Sequence, residues 1–590
     1  MLDPRIYRAA FVTLLLAILV VAFSLEPRPR AIGTTLAPDA FDGGAAFAAL
    51  GDYAERFPAR RPGGRDDTAL AGQVAADLTV LGRGSVQTFR APGQTIDGKR
   101  ELTTVIATRT GRPGPGLVVV AHRDAAGAPA EAELSGTAAL VELARVAAVG
   151  RLRRTVSFVS TSGGSGGLAG AQEAIRRLPQ PIDAVLVLGD LASRAVRKPW
   201  VVGWSNGGGS APLRLRRTLE AAVRAETGQD PGGPRAPAQW ARLAFPTTVS
   251  EQGAFAEAGE ASVLLSASGE LPPEAGAAVD ERRLTVFGRA ALRTIFALDN
   301  GPDIASGPRE LLVTQRKVLP YWAITLLIGA ALFPFWLAVL DALARVRRRK
   351  LPIGAGLRWV LASGVPFLLV AVVAVVLGAT GLIGARPDAP LPPGVISVDS
   401  TAAGIAVVLV LVFALGWIGP RAALSGRSAG TPLGDAHAAA ALGVVALASF
   451  AMWLANPFAA ALLVLPAHAW LLAVAPEVRL PRVAAGLIGI LALVPLALVG
   501  LSLAAQLGYS LPEAAWSLLL MVSGGHVGPL AWLIWSVVAG AAVSVGMLVA
   551  HRPPAQNGPV PAAARGAAVR GPRTYAGPGS LGGTDSALRR

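Results

Sequence analysis

His122 is the single histidine between residues 31 and 315, and it directly follows the apolar run 118–121. Three of the carboxylic acids that follow it are candidates for the same site: Asp124 two positions later, Glu133, and Asp190 just after a second apolar run. Imidazole nitrogens and carboxylate oxygens are zinc ligands, and the same groups move protons in hydrolysis. These residue types therefore indicate a hydrolytic metal site or what remains of one.

The segments around these residues alternate between strand and helix patterns. Apolar runs rich in valine and leucine predict strands buried on both faces: Thr103–Ala107, Gly116–Ala121, Thr155–Ser160, Ala184–Leu188 and Ala261–Leu265. Helical patterns lie between them: Ser135–Ala148 with a serine N-cap, Leu168–Arg177, Leu213–Glu226 and Leu284–Leu298. The alternation predicts an α/β domain over residues 31–315, with a mostly parallel central sheet flanked by helices.

The composition indicates a membrane protein. Of the 590 residues 52% are hydrophobic, and the mean hydropathy is +0.50, which is too apolar for an ordinary soluble chain. Cysteine is absent, which excludes disulfides and thiolate metal sites. The net charge of +16 is mostly arginine and suits basic loops beside a bilayer better than nucleic acid. The excess of Ala, Gly, Pro and Arg suggests a bacterial source.

Apolar runs predict where the chain crosses the bilayer. Ala9–Leu25 follows Arg5 and Arg8 without a small-x-small cleavage site, so residues 1–30 are expected to form a cytoplasmic stub and retained signal anchor. A membrane domain of about seven helices is predicted over residues 316–552, with spans at 320–343, 356–384, 402–419, 436–454, 458–475, 483–506 and 528–550. Trp516–Val522 is too short to cross and is expected to be re-entrant or interfacial. The Pro-, Gly- and Ala-rich tail 553–590 is expected to be disordered.

Basic residues predict the orientation. The run Arg345–Lys350 carries five cations in six positions and should stay in the cytoplasm, which places residues 31–315 outside the plasma membrane. The same topology puts four further arginines inside: Arg421, Arg427, Arg479 and Arg482. It leaves four cations outside, against the usual bias: Arg28, Arg30, Arg316 and Lys317.

Four segments resemble, in order and spacing, motifs of the zinc-dependent aminopeptidase family that includes the bacterial leucyl aminopeptidases. Residues 118–124 resemble the strand that ends in His-x-Asp, and residues 133–145 resemble Asp-Asn-Ala-Ser-Gly-Val-Ala-Ala-Leu-Leu-Glu-Leu-Ala-Arg. Residues 156–170 resemble the strand before Asp-Gly-Glu-Glu-x-Gly-Leu-Leu-Gly, and residues 250–259 resemble Ser-Asp-His-x-x-Phe-x-x-x-Gly. The resemblance implies the family's α/β fold.

The resemblance also implies a pair of zinc ions, a bridging carboxylate and a glutamate as general base. His122 falls on the family's first histidine and Asp190 on its last aspartate. The remaining positions hold poor zinc ligands or none: Ala132 for the bridging aspartate, Gly164 and Ser165 for the base and ligand glutamates, and Gln252 for the second histidine. Without its base the enzyme would be about 10²–10⁴ slower. We therefore expect no catalytic residue and no cofactor, with Asp124 hydrogen-bonding a vestigial His122.

Other interpretations of single residues stay open. Glu133 adjoins Ala132 and could replace the bridging aspartate. In that interpretation Glu133, His122 and Asp190 together hold one zinc ion in an active metallopeptidase. Residues 163–167 match the Gly-x-Ser-x-Gly elbow of serine hydrolases, although the histidine precedes the serine. His468 and His526 are candidate functional groups within the membrane domain, or else they lie at an interface or bond a neighbouring helix.

The layout of an anchor, an outer aminopeptidase-like domain and a multi-span half is similar to two eukaryotic proteins. These are the endoplasmic-reticulum membrane metallopeptidase and the attachment subunit of the GPI transamidase, which has lost its zinc ligands. The ligand losses favour a membrane pseudo-peptidase that binds a peptide, a lipid-linked ligand or a partner protein, and no nucleic acid. An active zinc aminopeptidase with rearranged ligands and a transporter-like protein with an accessory outer domain are the alternatives.

Overall fold

A computed structural model describes residues 4–150, 152–304, 307, 309, 311–383, 389–425, 433–475, 477–478 and 480–551. The tail 553–590 and the two arginines Arg427 and Arg479, for which the sequence makes predictions, lie outside the described residues. Two structural parts follow the first helix, α1 (Pro4–Phe23). An α/β part comes first and a helical part second.

Ten strands and eight α-helices are found among the described residues of the α/β part. The strands are β1 (Glu26–Pro27), β2 (Val86–Thr95), β3 (Gly98–Arg109), β4 (Arg112–His122), β5 (Arg154–Thr161), β6 (Ile182–Leu188), β7 (Val201–Val202), β8 (Ser262–Leu265), β9 (Leu311–Val313) and β10 (Lys317–Pro320). The helices are α2 (Gly43–Arg56), α3 (Arg65–Asp77), α4 (Ser135–Val149), α5 (Ala169–Arg177), α6 (Leu213–Thr227), α7 (Ala236–Ala244), α8 (Gln252–Glu257) and α9 (Glu281–Asn300). Every strand and helix predicted for this part is present.

The main sheet has seven strands in the order β2-β3-β5-β4-β6-β8-β7. Its four central strands are β5, β4, β6 and β8, and they pair in parallel. Strands β2, β3 and β7 pair antiparallel with their neighbours. The sheet is therefore mixed, and the prediction of a mostly parallel sheet holds only for its centre. Strand β2 was not predicted, because this edge strand is half exposed and lacks a continuous apolar run.

The two faces of the sheet enter different cores. On β4, Leu117, Val119 and Ala121 belong to a core with α2, α3, α4, α6 and α9. Val118 and Val120 point the other way because successive strand residues alternate. They join a core with α5, α7 and α8 that continues without a break into the helical part. The helical part thus covers one side of the α/β part.

The helical part begins directly after β10, in the small sheet β1-β10-β9. Its helices are α10 (Tyr321–Arg348), α11 (Ile353–Ala379), α12 (Ser400–Ile418), α13 (Pro420–Ser425), α14 (Asp435–Ala455), α15 (Pro457–Ala461), α16 (Val464–Val474), α17 (Arg482–Leu491), α18 (Val494–Gln506), α19 (Leu511–Gly524) and α20 (Pro529–Ala550). Eight helical spans among the described residues are long and apolar enough to cross a membrane: α1, α10, α11, α12 with α13, α14, α15 with α16, α17 with α18, and α20. The predicted number of such spans is confirmed, and α19 is shorter than any of them, as expected.

Hydrogen bonds distinguish the two ends of the helical bundle. At one end the Trp240 indole donates to Phe458 O (3.1 Å), and the Asn456 amide donates to Leu243 O (2.9 Å) in α7. At the other end Arg349 pairs with Asp435 at 3.3 Å. The basic run at the C-terminal end of α10 therefore lies at the end away from the α/β part.

Candidate functional site

His122 ends β4, one of the central parallel strands. Glu133 lies in the 3₁₀ turn Ala132–Leu134 just before α4, and Asp190 follows the adjacent parallel strand β6. Glu251 immediately precedes α8. All four side chains line one cavity of about 50 Å³ at the carboxyl ends of the strands. The fold thus brings together the three residues that the sequence singled out and adds a fourth.

Glu251 is the carboxylate nearest to the imidazole. Its Oε2 lies 3.8 Å from His122 Nδ1, and its Oε1 accepts a 2.5 Å hydrogen bond from the Thr161 hydroxyl. Glu251 is only 1% exposed, and this burial raises the pKa of its carboxyl group. Glu251 was not predicted as a site residue, because the family resemblance places the second histidine at Gln252. The signal was present, since Glu251 takes the place of the acid in the motif Ser-Asp-His.

Burial also raises the pKa values of the other two acids. It raises the pKa of Glu133 to about 7, an effect that the positive charge on a protonated His122 opposes. It raises the pKa of Asp190 to about 6, against the stabilising backbone N–H groups of Ser193 and Ala192. Near neutral pH a substantial fraction of Glu133 is therefore protonated, whereas Asp190 is mostly ionised.

Each of the three acids keeps one buried oxygen without a hydrogen-bond partner among the described residues: Glu133 Oε2, Asp190 Oδ2 and Glu251 Oε2. Unpaired buried carboxylate oxygens favour either a proton or a cation. Within the described residues, however, no three His, Cys, Asp or Glu side chains lie close enough together to hold a metal ion. The side chains would have to move inwards to coordinate one.

Asp124, the expected partner of His122, binds the loop of residues 163–167 instead. Its two oxygens accept hydrogen bonds from Gly164 N and Ser165 N, both 3.0 Å, and from the Ser165 hydroxyl at 2.5 Å. The cause is that β4 ends at His122, so Asp124 no longer shares the strand's side-chain alternation. Ser165 is thereby occupied as a donor and is not poised as a nucleophile.

Gly164 lies directly against the imidazole. A Cβ atom at this position would fall 2.4 Å from His122 Cβ and 2.5 Å from Cγ. Such distances are far inside van der Waals contact, so any side chain at position 164 must displace the His122 ring. The base position implied by the family resemblance and the present position of His122 therefore exclude each other.

The other degenerate positions are built into the surrounding structure. Ala132 is buried, and its carbonyl accepts a 2.5 Å hydrogen bond from the Ser135 hydroxyl. Ser135 is the first residue of α4 and also accepts from Leu191 N (2.8 Å), so its predicted role as N-cap is wrong. Gln252 is buried and donates to the Thr248 hydroxyl at 2.9 Å, but it does not line the cavity.

The two candidate histidines of the helical part lie apart from this cavity. His468, in α16, has its Nε2 3.0 Å from Ala331 O and its Nδ1 3.2 Å from the Tyr7 hydroxyl. A carbonyl only accepts, so Nε2 carries the proton and Tyr7 donates to Nδ1. Both ring nitrogens therefore connect α16 to α10 and α1. His526 follows Gly525 in the turn between α19 and α20.

No family model matches the sequence, and no curated protein matches it at a significant level. Among solved structures, the LapA aminopeptidase of Legionella pneumophila is 14% identical over 45% of this chain and 73% of its own, with a TM-score of 0.35. A glutaminyl cyclase from an Acidobacteriales bacterium is 16% identical over 45% and 98%, with a TM-score of 0.35. BSAP, a zinc aminopeptidase from Bacillus subtilis, is 12% identical over 43% and 95%, with a TM-score of 0.34.

Proposed function

We propose that this chain is an integral membrane pseudo-peptidase, a binding or scaffold subunit whose outer domain has the fold of a zinc aminopeptidase without a competent two-zinc site. The lipid bilayer surrounds the helical part, and the α/β part binds a peptide, a lipid-linked ligand or a segment of a partner protein, of which one small polar group enters the cavity at His122. The location of the basic run at the far end of the bundle supports an outer position for the α/β part in the plasma membrane.

The contact between Gly164 and His122 carries this proposal. A general base must be a side chain within hydrogen-bond reach of the attacking water, and position 164 has no room for one while His122 stays in place. Asp124, the acid nearest to this loop, already accepts three hydrogen bonds from it. The buried acids that remain line the cavity with carboxyl oxygens that a polar or cationic group of a ligand could contact.

The test compares metal content and activity of the whole chain. The full-length protein is purified in neutral detergent without chelators, zinc is measured by mass spectrometry, and hydrolysis of aminoacyl p-nitroanilides is followed with and without added zinc. We expect well under one zinc ion per chain, and equal background rates for the native protein and His122→Ala. Stoichiometric zinc, together with hydrolysis that His122→Ala abolishes, would contradict the proposal.

Binding at the cavity is tested separately with a narrowing substitution. Ser250 lines the cavity and is half-buried, so Ser250→Tyr should occlude it. The matched control is Thr88→Tyr, which adds the same ring on the exposed edge strand β2. Molecules that co-purify from native membranes should be lost from Ser250→Tyr and retained by the control. Equal retention by both variants would remove the cavity from the binding function.

A metallopeptidase with rearranged ligands is the second candidate. Its specific support is the set of three unpartnered carboxylate oxygens that line one cavity with His122. A zinc ion there would draw on His122, Glu133, Asp190 and Glu251, and would polarise a substrate carbonyl or a bound water. Zinc binding that falls at least tenfold in Glu251→Gln, with matching loss of hydrolysis, would favour this candidate over the first.

A further inference from the structure

A second and larger cleft, of about 550 Å³, lies between the β2–β3 hairpin, helix α5 and the end of α19. The hairpin and the two helices contribute eight lining residues: Pro92, Gly93, Gln94, Lys99, Ala169, Gln172, Arg176 and Gly524. The two clefts share none of their described lining residues. Its volume falls within the range of about 300–1,000 Å³ that small-molecule sites occupy.

Four residues with polar side chains line this cleft: Gln94, Lys99, Gln172 and Arg176. Gln94 and Lys99 are paired residues across the hairpin, so they share one of its faces. Gln172 and Arg176 are four positions apart on α5 and lie on one side of the helix. The hairpin approaches α5 closely at Gly93, where a Cβ atom would fall 2.6 Å from Ala169 Cβ. Two amides and two cations therefore line the same cleft.

The nearby acids of the hairpin do not neutralise Lys99. Asp97, at the hairpin tip, forms an ion pair with Arg61, whose Nε lies 2.9 Å from Oδ2. Glu101 is on the same strand as Lys99 but does not line the cleft. Among the described lining residues none is acidic. The hairpin side of the cleft is therefore positively charged.

The helix side also keeps a positive charge. Glu173 accepts hydrogen bonds from two arginines at once, from Arg176 Nε at 3.1 Å and from Arg177 Nε at 2.8 Å. One carboxylate thus faces two guanidinium groups, and the trio retains a net charge of one. Together with Lys99 it makes the cleft attractive to an anion.

The position of helix α19 shows where this cleft lies along the axis of the helical bundle. Gly508, just before α19, approaches Leu271 of the α/β part, and Gly524 at its other end lines the cleft. Trp516 and Leu520 between them pack against α11 and α12. At about 1.5 Å per residue its 14 residues span ~21 Å, too little to cross the bilayer. Both ends meet the α/β part, so α19 runs along the boundary between the two parts.

We propose that this cleft binds a phosphate group, presented by the head group of an anionic phospholipid in the outer leaflet. Lysine, arginine and amide donors are the groups that recognise phosphate oxygens, and the boundary helix α19 places them where head groups would lie. The proposal takes from the proposed function that the bundle lies in a bilayer with the α/β part on its outer side. A soluble phosphate ester offers the same chemistry, so the test separates the two sources.

The test uses the full-length protein in neutral detergent, titrated with dihexanoyl phosphatidylglycerol, dihexanoyl phosphatidylcholine or inorganic phosphate. Binding is followed by intrinsic tryptophan fluorescence and by native mass spectrometry. The test variant is Lys99→Gln with Arg176→Gln. The matched control, Arg83→Gln with Arg214→Gln, removes two positive charges from exposed side chains of the same part, away from this cleft.

We expect phosphatidylglycerol to bind more tightly than phosphatidylcholine or inorganic phosphate, and about tenfold more weakly to the test variant, with the control unchanged. Inorganic phosphate that binds as tightly as the lipid, and is lost in the same variant, would uphold the phosphate site and assign it to a soluble ester. Equal binding by the test variant and the control, or no binding at all, would overturn the proposal. Neither result depends on zinc or on hydrolysis at His122.

Discussion

The raised pKa of Glu133 makes a prediction about stability and pH. Its carboxyl group holds a proton in the folded chain up to a pKa of about 7, against an ordinary value of 4.5. Between these values the folded state binds more protons than the unfolded state, so the free energy of unfolding must fall as pH rises. The cavity should therefore be most stable in mild acid and least stable above neutrality.

The size of the effect follows from the two pKa values. At about 1.36 kcal/mol for each pKa unit, raising 4.5 to about 7 corresponds to ~3 kcal/mol in all. Of this, ~2 kcal/mol falls between pH 5 and pH 7.5, because the unfolded chain has already ionised in part at pH 5. Glu133→Gln replaces the protonated acid with a neutral side chain of similar shape and should remove this part of the slope.

The assay is thermal unfolding of the full-length protein in detergent with EDTA, from pH 5 to pH 7.5. The native melting temperature should fall across this range by about 2 °C more than that of Glu133→Gln. Glu55→Gln, which alters an exposed acid on α2, should keep the native slope. Parallel slopes for the native chain and Glu133→Gln would refute the reasoning. In a parallel series without EDTA, a native melting temperature that rises with pH and lies above the value with EDTA would instead place a cation among the acids.

Two further substitutions test the packing on which the site depends. Gly164→Ala should destabilise the chain by about 1–3 kcal/mol because its Cβ collides with His122, whereas Gly72→Ala, with open space on α3, should stabilise it by roughly 0.5–1 kcal/mol; the melting temperatures should move in opposite directions. Arg242→Met leaves the buried Glu270 carboxylate, 2.6 Å from Arg242 Nη2, without its cation and should cost about 3–5 kcal/mol in denaturant unfolding. Arg224→Met, in an exposed pair, should change less than about 1 kcal/mol.

The strands and helices of the α/β part could be predicted because burial imposes an apolar period on each of them. His122 and Asp190 also share a cavity for a predictable reason, since adjacent parallel strands end at the same edge of the sheet. The edge strand β2 escaped notice because its exposed positions break the apolar run. The sheet is mixed because β2, β3 and β7 all pair antiparallel. The apolar runs thus predicted most of the strands but not the direction in which the strands towards the two edges of the sheet pair.

The contacts of the polar side chains were harder to predict than their positions in the fold. Asp124 was expected to contact His122, but Glu251 does so instead. The chain turns after His122, and Asp124 therefore accepts hydrogen bonds from the 163–167 loop. That turn depends on the end of a strand, which sequence patterns locate only to within a few residues. The motif alignment placed the lost ligand at Gln252, but the side chain that enters the cavity belongs to its neighbour.

The continuous core between the sheet and the bundle constrains how this molecule works. Trp240 and Arg242 of α7 bond Phe458 O and the Gln506 side chain of the helical part, at 3.1 Å each. Leu243, the next residue of α7, is buried in the shared core. Removing the helical part would expose this apolar surface and give water access to the Arg242–Glu270 ion pair. The α/β part is therefore held in a defined orientation against the bundle, and both clefts keep a fixed relation to the membrane that the helices are proposed to cross.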